Sequence, residues 1–142
     1  NYDILTTSSK EFSYVVGGLD TKDFSIDLDA EPAKPTDSSD TRKVYPLRHF
    51  FSHELADRAK LQLVEVIVGR LYTGPMYRKY NGIMRMDNER LTQLDNKFAT
   101  TIHVLQSFLR KLGRVSPAPT RNIVYRGMSR TRLPAEFFES DE

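Results

Sequence analysis

The sequence predicts an α+β chain that is mainly α-helical, with a strand-like and linker-like N-terminal third and one short strand near its C-terminal end. Three observations predict it. Apolar residues recur every three or four positions between about residues 52 and 112, apolar and polar residues alternate only in the first third, and a β-prone run, Asn122-Ile123-Val124-Tyr125-Arg126, follows a proline-broken segment. The boundaries that follow are a strand-like and acidic linker segment over 1–44, a helical lobe over 45–116, and a strand with an acidic tail over 117–142.

In the first third, Phe24, Ile26 and Leu28 alternate with Ser25, Asp27 and Asp29, the period of a half-buried strand, and the run Phe12 to Val16 before Gly17-Gly18 reads as a second one. From residue 30 to 43 the composition turns to Glu, Pro, Lys, Asp, Ser and Thr, which reads as solvated linker. Ser52 is positioned to cap a helix running to about residue 71, on the spacing of Leu55, Ala59, Leu63, Ile67 and Leu71, until Thr73-Gly74-Pro75 stops it. A shorter helix follows over about 75–86. Asp87 or Asn88 then opens a long helix carrying Leu91, Leu94, Phe98, Ile102, Leu105, Leu109 and Leu112, with Gly113 as its end. The leucine strip is core and carries no chemistry.

Length and composition bound the function. With 142 residues and no cysteine, the chain is one compact domain or a part of a larger protein, without disulfides, thiolate zinc sites or a cysteine nucleophile. The most apolar stretch, residues 61–71, is interrupted by Gln62, Glu65 and Arg70, so no membrane span is expected. His49, His53 and His103 lack a metal-ligand spacing. The net charge of +2 conceals an asymmetry: residues 1–41 hold three lysines against nine acids, residues 42–132 hold eighteen Lys/Arg against six acids, and the last ten residues add four acids. The basic body will attract phosphates, acidic proteins or nucleic acid.

Two segments carry the chemistry: Leu71-Tyr72-Thr73-Gly74-Pro75-Met76-Tyr77-Arg78-Lys79-Tyr80-Asn81-Gly82-Ile83-Met84-Arg85, and Ile123-Val124-Tyr125-Arg126-Gly127 beyond the long helix. Together they resemble the NAD-dependent mono-ADP-ribosyltransferases of the Arg/Ser-x-Ser/Glu-x-Glu type, which include actin-modifying toxins and bacterial effectors. Tyr72, Tyr77, Asn81 and Met84-Arg85 fall at the family spacing, with Tyr80 where Ile is usual and Met84 where Leu is. The resemblance implies the helical lobe and first catalytic strand of that fold, with NAD as co-substrate. It implies that Arg126 is the catalytic-strand arginine that holds NAD, that Gly127 lets backbone approach the nicotinamide amide, that Tyr72 and Asn81 contact the phosphates or adenosine, and that Tyr77 packs beside the dinucleotide. Such a pocket needs an arginine fork for phosphate, aromatic faces for flat rings, and an amide or hydroxyl for oxygens.

The family's later motifs are not in these 142 residues: after Arg126 come Glu136, Glu139 and Glu142, but no Ser-x-Ser and no Glu-x-Glu. The expectation is therefore a transferase lobe, inactive alone, whose catalytic core is completed by a further segment or a second chain. The implied acceptor is a protein, acidic, actin or ubiquitin-like, and the implied setting is a secreted toxin or effector acting in a host cytoplasm. The alternative reading is a basic, non-catalytic module for an acidic protein or nucleic acid, with Tyr72, Tyr77 and Tyr80 among Arg78 and Lys79 stacking on bases.

Overall fold

The computed structural model describes residues 11–20, 22, 25–32 and 43–116; the expected strand at 122–127 and the acidic tail lie outside them. The described part is mainly helical. Helix α1 covers residues 11–16. Strands β1 (Gly18–Leu19) and β2 (Ile26–Asp27) pair antiparallel, Gly18 opposite Asp27 and Leu19 opposite Ile26. Then come α2 (Leu47–Phe51), α3 (Glu54–Arg58), α4 (Leu63–Thr73), α5 (Tyr77–Met84), α6 (Asn88–Thr92) and α7 (Ala99–Val115).

Four sequence expectations need correction. The Phe12 to Val16 run is helical, because Tyr14, Val15 and Val16 are buried together with residues of α4 and α5, and that tertiary packing overrides the β preference of the two valines. The strand around Ile26 has only two paired residues, and Leu28 and Asp29 already turn away from it. The helix expected over 52–71 is two helices: α3 starts from His53, whose Nδ1 accepts from the Leu55 N–H at 3.1 Å, and ends where Lys60 takes a left-handed φ of 52°. The long helix expected from 88 is likewise divided. Asp87 does cap its start, accepting from the Arg90 N–H at 2.9 Å, but α6 ends at Thr92 and Asn96 folds its side chain onto the Phe98 N–H at 2.9 Å. Phe98 then enters α7 with φ at 48°, and α7 continues past Gly113 to Val115.

One core joins α1, α2, α4 and α5, with β2 and α7 packed against it. Tyr14, Val15 and Val16 meet Leu47, Val66, Ile67, Leu71, Met76 and Tyr80, so the N-terminal third belongs to the same hydrophobic unit as the helical lobe. At the hairpin, Gly17 takes φ +71°, and a Cβ there would stand 2.9 Å from the Ala30 carbonyl oxygen. Arg48 of α2 fastens the hairpin from outside. Its N–H donates to the Leu28 carbonyl at 2.9 Å, and its guanidinium forks onto both Asp29 oxygens at 2.5 and 2.8 Å, which holds the Asp29 carboxyl below its ordinary pKa.

The most extensive helix contact joins α4 to α7. Gly69 permits it: a Cβ at that position would lie 2.5 Å from the Phe108 ring. Glu65 closes the other end of the same interface. Only 4% exposed, its carboxylate accepts from the Gln62 N–H at 2.8 Å, from the Ser107 hydroxyl at 2.7 Å and from the Lys111 ammonium at 2.8 Å. Burial by itself would push this carboxyl up; the hydrogen bonds from Lys111, Gln62 and Ser107, with the Lys111 charge, outweigh it and hold the pKa below the ordinary value.

A carboxyl with a depressed folded pKa stabilises the fold above its unfolded pKa, and that contribution is lost as pH falls through the folded value. Glu65→Gln is therefore expected to lose about 2–4 kcal/mol at pH 7, with the gap to the parent closing in strong acid, as urea unfolding across pH will show. The two helical glycines should respond in opposite directions. Gly82→Ala, where a Cβ meets nothing within 4 Å, should stabilise by about 0.5–1 kcal/mol, whereas Gly69→Ala should lower the urea midpoint by forcing Phe108 out of its seat.

Candidate functional site

The site is the corner between α4 and α5. Helix α4 ends as the Thr73 hydroxyl donates to the Arg70 carbonyl at 3.0 Å, and the buried Gly74 with the exposed Pro75 turns the chain. Met76, 3% exposed, plugs the corner into the core and precedes α5. Helix α5 is sharply two-sided. Tyr80 faces inward at 1% exposure, its ring 5.6 Å from that of Phe98, while Tyr77, Arg78, Met84 and Arg85 are exposed. Burial, followed by the charge of Glu11, pushes the Tyr80 hydroxyl up to about 12.

Three of the sequence-predicted site residues meet at this corner. The Tyr72 hydroxyl, half-buried at the end of α4, donates to Asn81 Oδ1 at 3.4 Å and ties the Tyr-Thr-Gly segment to the middle of α5. With Oδ1 engaged, Asn81 keeps its Nδ2 as a donor. Tyr77 stands one helical turn before Asn81 on the same side of α5, 42% exposed. Arg78 Nε donates to the Tyr77 hydroxyl at 3.3 Å, and its guanidinium lies 5.9 Å from the ring centre. Arg126 and Gly127 lie outside the described residues.

Tyr80 needs a separate correction. Grouped with Tyr72 and Tyr77 as a stacking residue in the nucleic-acid reading, it is a buried core side chain, closed to bases at the surface. The i, i+3 relation of Tyr80 to Tyr77 points to different flanks of a helix only once the core side is known, and the sequence carries no mark of that side beyond Met76 and Ile83.

The apolar cavity on the inner side of α5 is not the place for a dinucleotide. About 590 Å³ in volume, it is lined among the described residues by Leu63, Ile67, Leu71, Met76, Phe98 and other apolar side chains, with only Thr101 and Tyr80 carrying hydroxyls and no cation at all. A pyrophosphate has nothing there to pair with. The corner, by contrast, presents an aromatic ring, an anchored amide and two guanidinia along one exposed side of α5. Among the described residues there is no group of three His, Cys, Asp or Glu that could hold a metal, and no helix long and apolar enough to cross a membrane.

Comparison with protein-family models, with curated proteins and with solved structures gives no match to this chain.

Tyr72→Phe deletes only the hydroxyl that holds Asn81. It should cost about 0.5–1.5 kcal/mol of stability, and the Asn81 side-chain amide resonances should move and sharpen as that group gains motion.

Proposed function

We propose that the chain is the helical lobe of an NAD-dependent protein mono-ADP-ribosyltransferase, with the α4–α5 corner as part of the NAD site. The observation that carries this reading is the Tyr72–Asn81 hydrogen bond: two residues nine apart, at the family spacing, act as one polar unit beside an exposed Tyr77. A merely structural Tyr-Asn pair would not need an open aromatic face next to it, or the basic side chains of α5 around it. In this reading Asn81 and Tyr72 address phosphate or ribose oxygens, Tyr77 packs against a flat ring, and Arg126 clamps NAD from the strand that the sequence predicts at 122–127, with Gly127 beneath the nicotinamide amide. Cleavage of the nicotinamide–ribose bond and transfer of ADP-ribose to a protein side chain fall to a Ser-x-Ser and a Glu-x-Glu supplied from outside these residues. The acceptor is a protein that the basic helical surface would hold by its acidic side, and actin-like and ubiquitin-like proteins both fit that description.

The complete gene product, given adenylate-labelled NAD and a protein acceptor, is expected to move label onto protein, while residues 1–142 alone transfer none. Arg126→Ala should lose about 2–4 kcal/mol of transition-state binding, roughly 30- to 1,000-fold in kcat/KM. Full activity in that variant overturns the assignment. A log-linear loss of nucleic-acid affinity with salt, without any NAD effect on Tyr77 or Asn81, would favour the basic binding module instead.

A further inference from the structure

We infer that residues 133–142 dock onto their own chain, in the groove between the end of α5, α6 and α7, with Phe137 and Phe138 in the groove and their flanking carboxylates beside the cations of α7. The inference stands apart from the transferase reading. It begins with an expectation that the fold does not meet: of the apolar strip expected to be core, α7 buries only Leu105, and Leu109 is 52% exposed. The groove, about 440 Å³, is lined by Ile102 and His103 of α7, by Leu91 of α6, and by Met84 and Met86 at and just beyond the end of α5. Both methionines are exposed, and their flexible thioethers pack well against aromatic rings.

Charge selects the occupant. Lys97 lines the groove and no acid does, while α7 carries Arg110, Lys111 and Arg114 without a single Asp or Glu. Lys111 serves Glu65; Arg110 and Arg114 are exposed. The nearby acids Asp87, Glu89 and Asp95 belong to α6 and its flanks, where Asp87 pairs with Arg90 at 3.7 Å. Residues 133–142 read Leu-Pro-Ala-Glu-Phe-Phe-Glu-Ser-Asp-Glu, with four carboxylates, no cation and two adjacent phenylalanines. An aromatic pair with acids on both sides is complementary to an apolar groove with a basic flank. The apolar cavity on the inner side of α5 has no cation in its lining. Reach permits the docking: α7 from Val115 back to Ala99 is about 24 Å long, and the chain from Val115 to Phe137 spans up to about 70 Å when extended. Docked there, the segment shields Met84 and Met86 from water, and an acidic partner of this face has to displace it.

The chain has no cysteine, so Ser140→Cys carries a single nitroxide, and its four methionines give resolved methyl signals when isotope-labelled. The nitroxide is expected to broaden the Met84 and Met86 methyls more strongly than that of the core residue Met76. Replacing Phe137 and Phe138 together by Ser should abolish that difference without touching the helical core. Lys97→Glu combined with Arg110→Glu should lower the docked-to-open ratio roughly 3- to 30-fold. Broadening of Met84 and Met86 no greater than that of Met76, or broadening that survives loss of both phenylalanines, overturns the proposal. So does broadening that arises between molecules, seen when nitroxide chains are mixed with isotope-labelled chains lacking the nitroxide, because the occupant is then a second copy.

Discussion

The buried carboxylate of Glu65 organises this molecule. Glu65 does three things with two oxygens: it closes the first turn of α4 onto the Gln62 N–H, it receives the Ser107 hydroxyl, and it neutralises Lys111. Without all of these partners, a charge in that position would be expensive to bury. With them, it sets the register of α4 against α7, and Gly69 then lets the two backbones close to a distance at which the Phe108 ring fills the space a methyl would need. Everything downstream depends on that fixed pair. The α4–α5 corner is placed by the end of α4, and Tyr80 is held between the corner and Phe98 at the start of α7.

Against this frame the candidate site is sparing. It uses no buried charge and no cavity. Tyr72 spends its hydroxyl on Asn81, Met76 and Tyr80 anchor the inner side of α5, and the outer side is left polar and open. Division of labour between helix faces explains how the 14 residues from Tyr72 to Arg85 combine a buried core side with an exposed polar one. The 590 Å³ apolar cavity lies on the opposite, greasy side of the same helix.

The helical character, the corner at Thr73-Gly74-Pro75 and the cap at Asp87 were legible from periodicity and turn chemistry. The interruptions were not. The spacing of Leu55, Ala59, Leu63, Ile67 and Leu71 continues across Lys60 because α3 and α4 each carry apolar residues at helical intervals, so the hydrophobic pattern alone is blind to the left-handed residue between them. A signal was present: Gln62 and Glu65 stand at capping-box spacing and mark a helix start. Asp95-Asn96 gave a similar hint of the break before α7. The role of Glu65 was hidden for another reason, since its partners Ser107 and Lys111 are 42 and 46 residues away and no local pattern links them. For the site, Tyr72 and Asn81 were singled out by the family resemblance, which did not foresee the hydrogen bond between them, and the burial of Tyr80 depended on which flank of α5 the core would claim.

The Glu65–Lys111 clasp also makes a closed circuit of the chain, with α5, α6 and the turn at residues 93–98 as an excursion between two fixed ends. Within that excursion the two connections differ in kind. The α4–α5 corner is short and buried at Gly74 and Met76, so a residue added there would part Tyr72 from Asn81. The segment leading from α6 to α7 is exposed at Gln93, Asp95, Asn96 and Lys97. Lengthening it costs only chain entropy, about 0.6 kcal/mol for each doubling of a flexible loop. Insertions and deletions can therefore collect on one side of α5 and not on the other, which gives the protein a place to vary its outline while the Tyr72–Asn81 unit keeps its length.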